Sequence, residues 1–131
     1  MDDKERYERG ARRRRQVIGN EWVDRAEANT TPFNEEFQNF ITRYAWGELW
    51  MRLHFDDRTR RILVIGTLIA LDKWEEFRLH VRVGLTEGGL SADDIKEIIL
   101  QQAIYVGVPA ANHAFREATA IVNEVEKAKA R

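Results

Sequence analysis

Cysteine is absent from this chain of 131 residues. That excludes disulfides, thiolate nucleophiles, Cys-ligated zinc and iron–sulfur clusters. Proline occurs twice and glycine eight times, too rarely for a loop-rich or collagenous chain. Serine occurs once, at Ser91, where it suits a helix cap better than a nucleophile. No charge sign dominates: 21 basic residues face 22 acidic ones, for a formal net charge of −1. A general affinity for nucleic acid or anionic lipid is therefore not implied. The longest apolar run, Ile62 to Leu71, is about half a membrane span. The opening MDDKERYERG lacks the apolar core of a signal peptide, so a soluble, cytoplasmic protein is expected.

Strand signals are also scarce. No segment alternates cleanly between apolar and polar residues, and there is no Asn-Gly or Asp-Gly hairpin. What is present is helical, and the length suits one compact domain over residues 1–131. Residues 3–18 form a charged helix containing Arg12–Arg15, read as solvated or partner-contacting and stopped at Gly19-Asn20. The core is expected over about residues 30–127. Thr31 and Pro32 suit the start of a helix whose Phe33, Phe37, Phe40, Ile41 and Tyr44 share one stripe. Asp56 or Asp57 caps the next helix, from Arg58 to about Asp72.

After Arg61 that helix is apolar on every face, which a chain this short can hardly cover. A subunit interface is expected there. A helix from about Trp74 to Glu87 ends at Gly88-Gly89. Ser91 and Asp94 resemble a capping box ahead of Ile95, Ile98, Ile99 and Ala103. The last helix runs from Pro109 to about Lys127, its tail fraying from Glu124.

Few groups can do chemistry. His80 lies four residues after Glu76, on the same helix face. A carboxylate beside an imidazole orients it and raises its pKa, which suits proton transfer near neutral pH. An ordinary surface pair has the same spacing. Arg58, Arg60 and Arg61 crowd one helix start, and Arg78 and Arg82 flank His80. Such guanidinium groups suit a carboxylate ligand, or are offset by Asp56 and Asp57. Trp46, Glu48 and Trp50 interleave aromatics with one carboxylate, and Tyr105, Asn112 and His113 surround a helix junction. Both groups have bland readings, as core and as caps.

No metal is expected. Glu76/His80 and His113/Glu117 are four apart, whereas a di-iron bundle wants Glu-x-x-His. HExxH, phosphate-loop and GxGxxG motifs are missing too, and the five lysines lie in charged stretches that do not suit pyridoxal phosphate.

The segments Thr31–Trp50, Asp57–Leu63, Glu76–Arg82 and Ile104–Phe115 together resemble the carboxymuconolactone decarboxylase family. The likeness extends from about Tyr7 to Val125. It implies an all-α, alkylhydroperoxidase-like bundle that assembles as a homo-oligomer, commonly a hexamer. Redox members of that superfamily carry Cys-x-x-Cys before the histidine and a glutamate upstream. Here Lys73, Glu76 and Arg61 stand at those positions, and thiol-based peroxide reduction is excluded.

The implied activity is cofactor-free decarboxylation of 4-carboxymuconolactone to β-ketoadipate enol-lactone in protocatechuate catabolism. The lactone supplies its own electron sink. Arg60, Arg61, Arg78 or Arg82 would hold the acetate arm, while Trp46 or Trp50 would shield the leaving carboxylate. His80, poised by Glu76 or Glu48, would donate the proton. Tyr105, Asn112 or His113 would bond the enolate oxygen. A non-catalytic helical oligomer or small-ligand binder is the rival reading. A nucleic-acid role for Arg12–Arg15 is opposed by the neighbouring acids.

Overall fold

A computed structural model describes residues 1–130. Among them every regular element is helical, as expected, and no helix is long and apolar enough to cross a membrane. The residues form two compact units, 1–55 and from Asp56 onward.

The first unit holds α1 (Asp3–Ile18), α2 (Asn20–Ala28), α3 (Glu35–Ile41), a π-helical turn (Thr42–Trp46) and a 3₁₀ turn (Leu49–Met51). The Asp2 carboxylate caps α1 by accepting from the Glu5 N–H at 2.8 Å. Gly19, at φ 88°, stops α1, but α2 begins at once; the sequence reading had no helix there. Thr31 does not cap α3. It opens a turn, and Asn34 precedes the helix.

The charged helix is not simply solvated. Arg6, Arg9 and Arg13 lie on one face of α1 and grip the segment 47–50. Arg9 Nε donates to the Gly47 carbonyl at 3.1 Å and Arg13 Nε to the Trp50 carbonyl at 3.0 Å. These carbonyls lie in irregular turns and lack a helical partner, so guanidinium groups satisfy them. The close approach requires glycine. A Cβ on Gly10 would lie 1.9 Å from the Thr42 carbonyl oxygen, and one on Gly47 2.4 Å from that of Arg6. The aromatic stripe is not core in this chain: Phe33, Phe37, Phe40 and Tyr44 are all exposed.

The second unit holds α4 (Asp57–Ala70), α5 (Trp74–Thr86), α6 (Ala92–Tyr105) and α7 (Val108–Lys129). Asp56 caps α4 through the Thr59 N–H, and Ser91 with Asp94 forms the full capping box of α6. Ile65 and Ile69 of α4, Phe77 and Val81 of α5, and Ile95 and Ile99 of α6 are at most 1% exposed and pack together. Each such burial contributes about 1.5–3 kcal/mol. Ala111, Ala114 and Ala118 bring α7 close to this core. Its tail does not fray: α7 stays helical to Lys129, with Val125 in the core and Lys129 Nζ 3.4 Å from the Leu85 carbonyl.

Helix α4 is not enclosed all round within the chain. Leu63 and Leu71 are more than half exposed and line a groove of about 840 Å³ with Leu100, Ile104 and Tyr105 of α6.

Candidate active site

Two polar side chains lie deep in the second unit, Arg61 of α4 at 2% exposure and His80 of α5 at 7%. Arg61 Nη1 lies 3.0 Å from His80 Nδ1. A guanidinium has only donors, so Nδ1 must accept and the ring hydrogen sits on Nε2. Among the described residues no hydrogen bond to Nε2 is found, and the residue keeps 7% of its surface exposed. Burial first, and the Arg61 charge second, hold the His80 pKa down at about 3.

Glycines make room for this pair. A Cβ on Gly84 would stand 3.1 Å from Arg61 Cδ, and one on Gly88 2.9 Å from Arg61 Nε. Asp56 caps α4, Asp57 lies in its first turn, and Arg58 Nη2 donates to Asp94 Oδ1 at 2.8 Å.

This arrangement corrects the expected poise of His80. Its hydrogen-bond partner is a cation, and Glu76 of the same helix makes no hydrogen bond to the ring. The pKa is therefore lowered where a carboxylate partner would have raised it. Glu48 belongs to the first unit and accepts from Arg6 Nε at 2.8 Å, which holds its carboxyl below the usual range. In that unit Trp46 and Trp50 stack with centroids 5.6 Å apart.

The four arginines expected to bind substrate are not equivalent. Arg61 points its Nη1 at His80, while Arg60 is half-buried on the same helix. Arg78 donates to Glu117 and Arg82 pairs with Glu124, each at 2.9 Å, tying α5 to α7. The expected enolate-binding trio is dispersed. Tyr105 is 81% exposed at the end of α6, and Asn112 is exposed on α7. His113 stacks on Trp74 at 4.1 Å and bonds Glu117 at 3.3 Å. The sequence did carry a signal for the Arg61–His80 pair, because Arg61 stands where redox relatives place the glutamate upstream of their histidine.

The model of the family described as "Carboxymuconolactone decarboxylase family" matches residues 35–120. The chain belongs to the carboxymuconolactone decarboxylase family. The match spans parts of both units and includes Arg61 and His80. A 4-carboxymuconolactone decarboxylase of Acinetobacter baylyi is 38% identical over 125 residues, covering 95% of this chain and 92% of that one. Nitrosuccinic acid decarboxylase npaB of Metarhizium robertsii is 34% identical over 91% of this chain and 82% of its own length. A 48-residue 4-carboxymuconolactone decarboxylase sequence from Pseudomonas putida is 48% identical over its full length, which covers 37% of this chain.

Proposed function

We propose that this family member is a carboxy-lyase that converts 4-carboxymuconolactone to β-ketoadipate enol-lactone in protocatechuate catabolism. The carrying observation is its 38% identity to the Acinetobacter enzyme over 95% of the chain. That match runs through both units, which supports reading residues 1–131 as one functional domain.

The substrate chemistry suits the groups available. The bond to the leaving carboxylate breaks, and its electron pair passes through the ring double bond to the lactone carbonyl oxygen. A proton then bonds the carbon α to that carbonyl. The lactone is the electron sink, so the reaction as proposed needs no metal or organic cofactor. Nitrosuccinic acid, named in a second relative, has the same outline: two carboxylates and a nitro group whose oxygens can take the freed pair. A dianion with an oxygen-based sink is thus the substrate class.

Arg60, Arg78 and Arg82 are the candidate clamps for the retained acetate. Such a clamp would draw Arg78 or Arg82 out of its pair with Glu117 or Glu124. A cation on the leaving carboxylate would favour the ground state, so the clamp belongs on the other one. His80 serves at the reacting end as a neutral hydrogen-bond donor, in place of the expected role of donating the proton to carbon, and that proton comes from water. Tyr105, Asn112 and His113 are further candidate donors to the enolate oxygen. Undiminished rates in Tyr105→Phe, Asn112→Ala and His113→Ala would remove all three.

The apolar α4–α6 groove supports a homo-oligomer, with the resemblance favouring a hexamer. Light scattering should give a mass several times 15.4 kDa at low micromolar concentration; a stable monomer overturns this. We place the protein in the cytoplasm, with no nucleic-acid or membrane partner. Incubation of purified protein with carboxymuconolactone, followed by ultraviolet absorbance and CO₂ release, tests the activity. Turnover unaffected by a chelator is expected. Binding without turnover would favour a non-catalytic ligand binder of the same fold.

A further inference from the structure

We infer that Arg61 is a positioning residue: it locks His80 as the Nε2–H tautomer, so that the ring serves as a hydrogen-bond donor to the oxygen that gathers charge as CO₂ leaves. The second half of this statement rests on the decarboxylase reading; the first half does not.

The geometry separates Arg61 from the other arginines. Its side chain is 2% exposed, it runs beside Gly84 and Gly88, and its Nη1 is 3.0 Å from His80 Nδ1. A substrate clamp directs its donors at the substrate, whereas this Nη1 is spent on another side chain. A carboxylate at this position would invert the contact. Nδ1 would then carry the hydrogen, and Nε2 would present a lone pair or share in an imidazolium. A guanidinium never deprotonates in a protein and has no lone pair to offer, so it admits only one tautomer.

Protonating the ring would set N–H against N–H and charge against charge in a buried place. With a pKa of about 3, only about one ring in ten thousand is imidazolium at neutral pH. His80 is thus poorly suited to hand a proton to carbon and well suited to hold one still. During the reaction the C–CO₂ bond breaks, the carbonyl oxygen gains the charge and accepts from Nε2–H, and Nε2 keeps its hydrogen. A water-derived proton forms the new C–H bond. Substrate dianion plus that proton gives CO₂ and product monoanion, so atoms and charge balance. A donor already in place before charge develops costs no reorganisation when it does.

The experiment uses ¹⁵N-histidine-labelled full-length protein. The His80 signals are assigned by their loss in His80→Gln. Two-bond ¹H–¹⁵N spectra from pH 5 to 9 should show a protonated Nε2 and an unprotonated Nδ1 throughout. An Nδ1–H or imidazolium form at pH 7 overturns the inference whatever the substrate. Arg61→Gln keeps an amide donor for Nδ1, and should keep the tautomer and kcat within about tenfold of wild type. Arg61→Glu, nearly the same size, should move the hydrogen to Nδ1 and lower kcat by about 10²–10³, with KM changed less than about threefold.

Equal kcat losses in the two variants would mean a merely structural role, and a rise in KM alone would mean a clamp. Either overturns the inference. Should Arg61→Glu not fold, the wild-type spectrum and the Arg61→Gln spectrum and kcat still decide. A wild-type protein with the expected tautomer but no turnover of the lactone would instead count against the decarboxylase reading.

Discussion

Among the described residues each unit buries one arginine, and the two do different work. Arg14 of α1 is 8% exposed and donates to Gln38 Oε1 at 3.1 Å. Arg61 of α4 is 2% exposed and donates to His80 Nδ1 at 3.0 Å. Both cations thus give a hydrogen bond to a neutral acceptor in a dry place. An amide has a single protonation state, so Arg14 can only hold α1 to α3. An imidazole has three, and Arg61 selects one of them. The same residue type is scaffold in one unit and tuning device in the other, and the partner's chemistry decides which.

The sharpest way to break this comparison is to remove the acceptors. His80→Gln should fold and lower kcat by about 10²–10³, the loss expected for one donor to a developing oxyanion. Gln38→Ala in the first unit should leave kcat within about twofold. Steady-state rates on both variants measure this, and an equal loss in the two would erase the distinction.

Backbone approach gives the next effect. Gly10→Ala would press a methyl group into the Thr42 carbonyl and force α1 from the π-helical turn. Overpacking of this kind costs about 1–3 kcal/mol, readable as a lowered urea midpoint. Gly19→Ala has no neighbour within 4 Å of the added Cβ, but φ is +88° there, so it should cost only about 1–2 kcal/mol in backbone strain. A larger loss at Gly19 than at Gly10 would contradict the packing described for the first unit.

Acid should find the second unit first. His80 titrates near 6.5 when unfolded and near 3 when folded, so between those values the unfolded chain binds the extra proton. Stability is fully present above about pH 6.5 and falls as pH drops, by about 1.4 kcal/mol per unit until the folded pKa is reached. At pH 4.5 the loss is about 2–3 kcal/mol. His80→Gln should flatten this part of the stability–pH curve, and Arg14→Met should not. Urea titrations at pH 4.5 and 7 measure the slopes, and an unchanged slope in His80→Gln would reject the assignment.

These contrasts also mark what was legible in the sequence. Helix ends with local chemistry were: Asp56, Ser91 with Asp94, and Gly19 all act within four residues of themselves, so spacing alone reveals them. Chain-distant partnerships were not. Arg61 and His80 are 19 residues apart, and Arg9 reaches Gly47 across 38. Glu76 shares a helix face with His80, but proximity on a face does not make a bond, and it is a buried cation on α4 that bonds Nδ1. The exposed aromatics from Phe33 to Tyr44 illustrate a second limit: periodicity identifies a stripe and not what covers it.

The smallest effect sharpens the comparison at the surface. Arg78 and Arg82 are each nearly half exposed in their pairs with Glu117 and Glu124. Water and salt screen such pairs, and long side chains lose entropy in forming them, so each contributes about 0–1 kcal/mol. Arg78→Met and Arg82→Met should therefore shift the melting temperature by no more than a few degrees. If one of them is the acetate clamp, its variant should raise KM at least tenfold with kcat nearly kept, since the acetate is held equally in ground and transition states. Arg61→Glu should do the reverse, lowering kcat and sparing KM. Finding the KM effect at Arg61 and the kcat effect at Arg78 would exchange the roles of surface and buried arginine.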